Sequence, residues 1–443
     1  MKLRQPLPER REEKAMAVLE SPVLREALHS KRLASGLQVY VLPKPGFARK
    51  YATFATRYGS IDSQFIVPGE SEPLRVPDGI AHFLEHKLFE EEGGNVFDDF
   101  AKLGANTNAY TDYTSTTYLF SCTDHFPEAF EILLDFVQRP YFTDENVEKE
   151  KGIITQELLM YQDDPGNRVR TGTMEALYRR HPIRLEIGGT PDSVSHITKE
   201  LLHRCYRTFY HPSNMAVFVV GDVDADGVIR QVEENQQRKG RTGAQGEIRR
   251  VFPDEPAEVA EGEKVQRMAV SQPMFRLGFK DTSLGLTGRA LAERDVATRI
   301  ALEAITGMGS PLFQELYEAG LVDLSFGADY HGEKDFGYSI LGGDTKDPDT
   351  LHRRLLDGIE KLAQSGITPD DFERAHKKFH GDTLRLFNNF SGLAYFFNHW
   401  LFKGVTVFDY LDAVASLSRS AVNQRLREHF HRENHVVSVV VPK

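Results

Sequence analysis

The chain repeats itself weakly, and this repeat constrains the fold more than any other feature. Tyr210-His211-Pro212-Ser213-Asn214 and the apolar run after it correspond to Phe430-His431-Arg432-Glu433-Asn434 and the run VVSVVV. Phe142-Thr143, with the helical pattern that follows, corresponds to Ile367-Thr368-Pro369 and the pattern from Asp370. The copies are offset by about 220–225 residues. Repetition of this kind predicts an α+β protein of two similar domains, each a mixed or antiparallel sheet flanked by helices, arising by internal duplication. At 443 residues the chain is too long for one ordinary core, which agrees. A stretch poor in apolar residues (ENQQRKGRTGAQGE, 234–247) reads as an exposed connection. The expected division is an N-terminal domain at 1–233, a linker at 234–262 and a C-terminal domain at 263–443.

Within the first half, the charged segment to about residue 35 is expected to pack as an arm or short helix. Residues 37–43 and 51–57 alternate like paired strands. The Thr- and Tyr-rich run from Asn106 to Cys122 favours strands. Helical patterns cover 126–138 and 144–162, and a short helix from Val96 to Leu103 should stop at Gly104.

The chemistry is concentrated in His82-Phe83-Leu84-Glu85-His86. Pro77-Asp78-Gly79 forms a helix start with Asp78 as N-cap, and the helix should run to Gly93-Gly94. Ile80, Leu84 and Leu88 make one apolar stripe, which leaves His82, Glu85 and His86 on another face. Two imidazoles at i and i+4 can grip one ion, and a carboxylate beside them can take a proton from water. This H-x-x-E-H order is the inverted form of a metalloprotease helix. The bland alternative, a surface helix with two His and a Glu, does not require that separation of faces. The motif has no counterpart in the second copy.

A catalytic zinc normally takes three protein ligands and one water. The helix 144–162 offers Glu145, Glu148, Glu150 and Glu157. Glu150 and Glu157 are seven residues apart and share a face, so either could reach the ion while the other supports the ligand shell. Spacing alone leaves the choice open; Glu145 and Glu148 suit a solvated acidic helix.

Composition narrows the classes further. Hydrophobic residues make up 40% and charged residues 27%, as in a globular protein, and the formal charge of −11 disfavours nucleic acid as a partner. No apolar run approaches the roughly 20 residues of a membrane span. MKLRQPLPERREEKAMAVLES carries no secretory apolar core, and Cys122 and Cys205 lie in no metal-like cluster. A cytoplasmic protein with buried, reduced thiols is expected.

HFLEH, the downstream EKEKGIITQE, and FYHPSNM followed by a strand and Gly221-Asp222 together resemble the pitrilysin-type, or M16, zinc peptidases. The likeness runs from about residue 35 to the end. It fits the short two-domain bacterial type, similar to halves of pitrilysin and of the mitochondrial processing peptidase. It implies one zinc ion per chain held by His82, His86 and Glu157, with Glu85 as general base and Glu150 as supporting carboxylate. It also implies that LGANTNAYT (103–111) contains an edge strand where Asn108 and Ala109 hold an extended peptide. On the residues alone, Asn106 and Asn108 would be turn-flanking polar groups.

One departure stands out. Family members that act alone carry an Arg and a Tyr, seven residues apart, in the second half, where they assist cleavage. In SPLFQELYEAGLVDL (310–324), which is one residue shorter, Tyr317 stands at the Arg position and Asp323 at the Tyr position. The resemblance and this departure together imply a zinc endopeptidase acting on peptides or unfolded segments. It would be the catalytic subunit of a heterodimer whose related partner supplies the Arg and Tyr, with a homodimer as the competing arrangement. A non-catalytic scaffold subunit is the alternative of a different class. A structural or storage zinc site is a third; it would be closed by a fourth protein ligand.

Overall fold

A computed structural model describes residues 16–241, 243 and 245–443. The chain separates into two compact units, one formed by residues up to Val76 with Ala81–Glu150 and Ile197–Arg250, the other by Pro77–Ile80, Lys151–His196 and Val251–Lys443.

In the first unit, Gln38–Pro43, Met215–Gly221, Lys50–Thr56, Thr116–Cys122 and Asn106–Thr111 lie side by side in that order. The first pair is parallel and the others antiparallel. Met215–Gly221 is buried along its whole length, as its unbroken apolar run requires. In the second unit, Glu263–Met268, His435–Pro442, Met274–Lys280, Gly337–Asp344 and Gly327–Gly332 follow the same order, again with one parallel pair and three antiparallel ones. The repeat is therefore a repeat of sheet topology. Helices cover these sheets: Phe126–Phe136 and Ala225–Arg238 in the first unit, and Gly288–Thr306 over Phe275, Leu277, Tyr330 and Leu341 in the second. Matching threonines begin matching helices. Thr143 exchanges bonds with Asn146 (Thr143 N to Oδ1, 2.9 Å; Asn146 N to Oγ1, 3.1 Å) at the start of Asp144–Asp163. Thr368 Oγ1 accepts from Asp371 N at 3.1 Å at the start of Pro369–Leu386.

Three local expectations are corrected. Residues 1–15 lie outside the described residues, but Ala17–Ser21 and Glu26–Arg32 form an antiparallel hairpin that widens the first sheet to seven strands, in place of an arm or helix. The pairing is non-local: Glu26–Arg32 is held by Gln38–Pro43, and charge composition does not report that. The motif helix ends at Lys87, and Glu90–Glu91 pairs with Gly94–Asn95 in a tight hairpin, so Gly93-Gly94 is a turn beyond the helix. Residues 234–238 continue the helix Ala225–Arg238, and Arg249–Arg250 pairs with Phe65 and Ile66. Asn235 and Gln236 are buried there with their amide nitrogens hydrogen-bonded. Asn235 Nδ2 donates to Glu131 and Asp135 (2.8 and 2.9 Å), and Gln236 Nε2 donates to Gln138 Oε1 (2.8 Å).

Candidate active site

The motif helix spans Ile80–Lys87. Its entry is tight: Gly79 has φ +91°, and a Cβ there would lie 2.2 Å from the Gly188 carbonyl oxygen. Ile80, Ala81, Phe83, Leu84 and Leu88 are buried, which fixes the helix's rotation. His82 and His86 are half-buried on the remaining face, ring centroids 4.6 Å apart.

Glu85 is 9% exposed and accepts a 2.6 Å hydrogen bond on Oε2 from Thr111 Oγ1. Thr111 ends the strand Asn106–Thr111, so the sheet edge holds this carboxylate in place. Tyr118 and Tyr210, hydroxyl oxygens 2.8 Å apart, lie buried nearby. Burial first, then each other's hydroxyl and the Glu85 charge, bear on Tyr118, whose phenol is raised well above its ordinary value. It therefore stays a neutral wall.

The two candidate carboxylates of Asp144–Asp163 differ in geometry. Glu150 is 4% exposed, and its Oε1 accepts from His86 Nδ1 at 3.0 Å. A proton on Nδ1 leaves Nε2 as the ligating nitrogen. Glu157, two turns further on, groups with the histidines: one ligand atom from each of His82, His86 and Glu157 lies within 4.8 Å of the other two. Two imidazole nitrogens and a carboxylate oxygen are a donor set that zinc accepts. Among the described residues no other His, Cys, Asp and Glu group meets this test. Glu145 and Glu148 are exposed.

Among the described residues, Asn106–Thr111 is the last strand of its sheet, and one of its edges pairs with no other strand. The Ala109 N–H is bonded to Asn108 Oδ1 at 2.9 Å. In the second unit, Tyr317 stacks on Phe313 at the end of Pro311–Glu318. Asp323 Oδ1 accepts from Ser325 N at 2.8 Å and from Ser325 Oγ at 2.5 Å. Those bonds hold its carboxyl below the usual range. Residue reading overlooked Thr111, because nothing in a Thr-rich strand marks the threonine that reaches a carboxylate 26 positions earlier.

Comparison with known proteins agrees with this architecture. Residues 75–191 match the family model described as Insulinase (Peptidase family M16), and residues 196–379 match Peptidase M16 inactive domain. A Bacillus subtilis protein named an uncharacterized zinc protease, YmfH, is 43% identical over 425 residues, covering 96% of this chain and 99% of its own. The crystal structure of a putative M16-like peptidase from Alicyclobacillus acidocaldarius superposes with TM-score 0.91 at 39% identity, over 96% of this chain and all of that one. Pitrilysin shares the fold, with TM-score 0.73 at 16% identity over 97% of this chain and 47% of its own. Among the described residues no helix is long and apolar enough to cross a membrane.

Proposed function

The chain belongs to the M16 peptidase family, and from that premise we propose that it is a zinc-dependent endopeptidase acting on peptides or unfolded polypeptide segments. The grouping of His82, His86 and Glu157 on helices that also carry Glu85 and Glu150 carries this reading. His82, His86 and Glu157 would hold one zinc ion, which when bound acts as a Lewis acid and brings the pKa of water to about 7. Glu85 is the proton acceptor from the attacking water and the donor to the leaving amine. Thr111 steadies that carboxylate, and Glu150 orients His86. A substrate would add as an extended strand along Asn106–Thr111, with Asn108 and Ala109 offering main-chain bonds, so recognition rests on backbone more than on side chains. The buried thiols, pushed up to about 11 at Cys122 and about 12 at Cys205 chiefly by burial, suit a reducing cytoplasm. A purely scaffolding role gives no reason to keep a carboxylate beside two histidines.

Glu85→Gln should retain zinc and lose peptide cleavage by about 10²–10⁴-fold. Wild-type turnover from the metal-loaded variant would overturn the mechanism.

Tyr317 and Asp323 leave the second half without the donors expected there, although stabilising the developing oxyanion is often the largest single catalytic contribution. A related subunit bearing the Arg and Tyr would supply them, making this chain the catalytic half of a heterodimer. Purified alone, it should bind zinc and cleave an unstructured peptide slowly; the complementary subunit should raise the rate by orders of magnitude. Full activity of the isolated chain, unchanged by any related subunit, refutes the division of labour.

A further inference from the structure

Lys87 follows His86 directly and is 0% exposed. Moving an ammonium out of water is unfavourable unless charges and acceptors surround it. Its Nζ is bonded to Glu90 Oε2 and to the Asn146 carbonyl oxygen (3.3 Å), and lies 3.9 Å from Glu150 Oε2. Glu150 Oε1 is the atom that accepts from His86 Nδ1. One buried carboxylate thus accepts from an imidazole on one oxygen and faces a cation 3.9 Å away on the other. A cation is favoured in a helix's last turn by the helix dipole, but an exposed lysine would satisfy that equally. Burial towards Glu150 asks for another explanation.

We infer that Lys87 is a positioning residue for the metal site: it locks the Glu150 carboxylate, which in turn fixes the His86 ring. This rests on the reading of His86 as a ligand. Asn146 and Glu150 are one turn apart on Asp144–Asp163, so Lys87 meets both on one face of the helix. Without the ammonium, Glu150 can rotate away from His86, and losing such support typically costs about 10–100-fold in metal affinity. A lysine that only tied two helices together would lower stability regardless of what stands at position 150.

The test uses the full chain, with zinc affinity measured against a chromophoric chelator and the visible spectrum of the cobalt-loaded protein as second readout. Lys87→Met should weaken zinc binding by about 10-fold and alter the cobalt spectrum. In a Glu150→Gln background the same change should cost less than about 2-fold, because the residue through which it acts has lost its charge. Lys87→Arg should restore part of the affinity. Should Lys87→Met fail to fold, Lys87→Gln, which keeps a donor for Glu90, replaces it with the same expectations. Unchanged affinity and spectrum, or an equal loss in both backgrounds, overturns the role of Lys87. A wild-type chain that binds neither zinc nor cobalt overturns the peptidase reading itself.

Discussion

The two sheets share five strands in one order and fill the same place with opposite chemistry. Two residues beyond Thr56, the first unit sets Tyr58, stacked on Phe209 with ring centroids 3.9 Å apart. Two residues beyond Phe279, at the matching register, the second sets Asp281, paired with Arg425 and accepting from Tyr330 Oη at 2.7 Å. Thr111 and Tyr330 also match in register, and each donates its hydroxyl to a carboxylate. In the first unit that carboxylate is Glu85, on a helix face with two half-buried histidines. In the second it is Asp281, closed in by Arg425 and by Arg294 at 3.9 Å. Burial alone would raise the Asp281 carboxyl, but His429, Arg425 and Arg294 hold it well below the usual range. One scaffold thus carries a hydroxyl-to-carboxylate bond in both units, and in the second the carboxylate is neutralised by buried arginines.

The largest expected effect bears on that closed cluster. Asp281→Ala should destabilise the protein by about 3–5 kcal/mol in denaturant unfolding, because Arg425 is left buried without its counter-charge. The matching Tyr58→Phe removes one hydroxyl and should cost about 1 kcal/mol or less. Equal costs would break the contrast between the sheets.

Next come the carboxylates of the proposed metal site. After dialysis, Glu157→Ala should have lost more than about 100-fold in zinc affinity and Glu150→Ala about 10–100-fold, as a ligand and its support differ. The reverse order exchanges their roles. Asp281→Ala should leave zinc affinity within about 2-fold, since Arg425, Arg294 and Tyr330, which it holds, are not among the proposed ligands.

A smaller effect separates the units by pH. Burial first, partly offset by Glu255, holds His181 down to about 4 in the second unit. The unfolded chain therefore takes up that proton before the folded one. Stability is full above about pH 6.5, falls as pH drops and has lost its whole contribution below about 4. At pH 5 this single imidazole should cost about 2 kcal/mol relative to pH 7. His181→Leu should shrink the pH 5 to pH 7 difference in unfolding free energy by that amount; an unchanged difference would remove His181 as its source.

Much of this was legible in the residues because it is local. The stripe Ile80, Leu84, Leu88 and the i, i+4 histidines follow from helix geometry, and the duplicated strands from their apolar runs. The N-terminal hairpin was not legible, since Glu26–Arg32 buries fully only Leu28, which is too little to imprint an alternating pattern. Asn235 and Gln236 misled because buried amides look like solvent-facing ones until their partners are known.

By itself the sequence determined that two histidines and a glutamate share a helix face, that an acidic helix stands ready, and that the domain plan occurs twice. Spacing left Glu150 and Glu157 interchangeable and the family resemblance only implied their division; the tertiary structure bonds Glu150 to His86 Nδ1 and groups Glu157 with both histidines. It alone brought Thr111 to Glu85 and buried Lys87 against Glu150. The reason is physical. A seven-residue spacing repeats every two helical turns and leaves both glutamates on one face, whereas contact between elements about 64 residues apart depends on how helices pack, which no local period encodes.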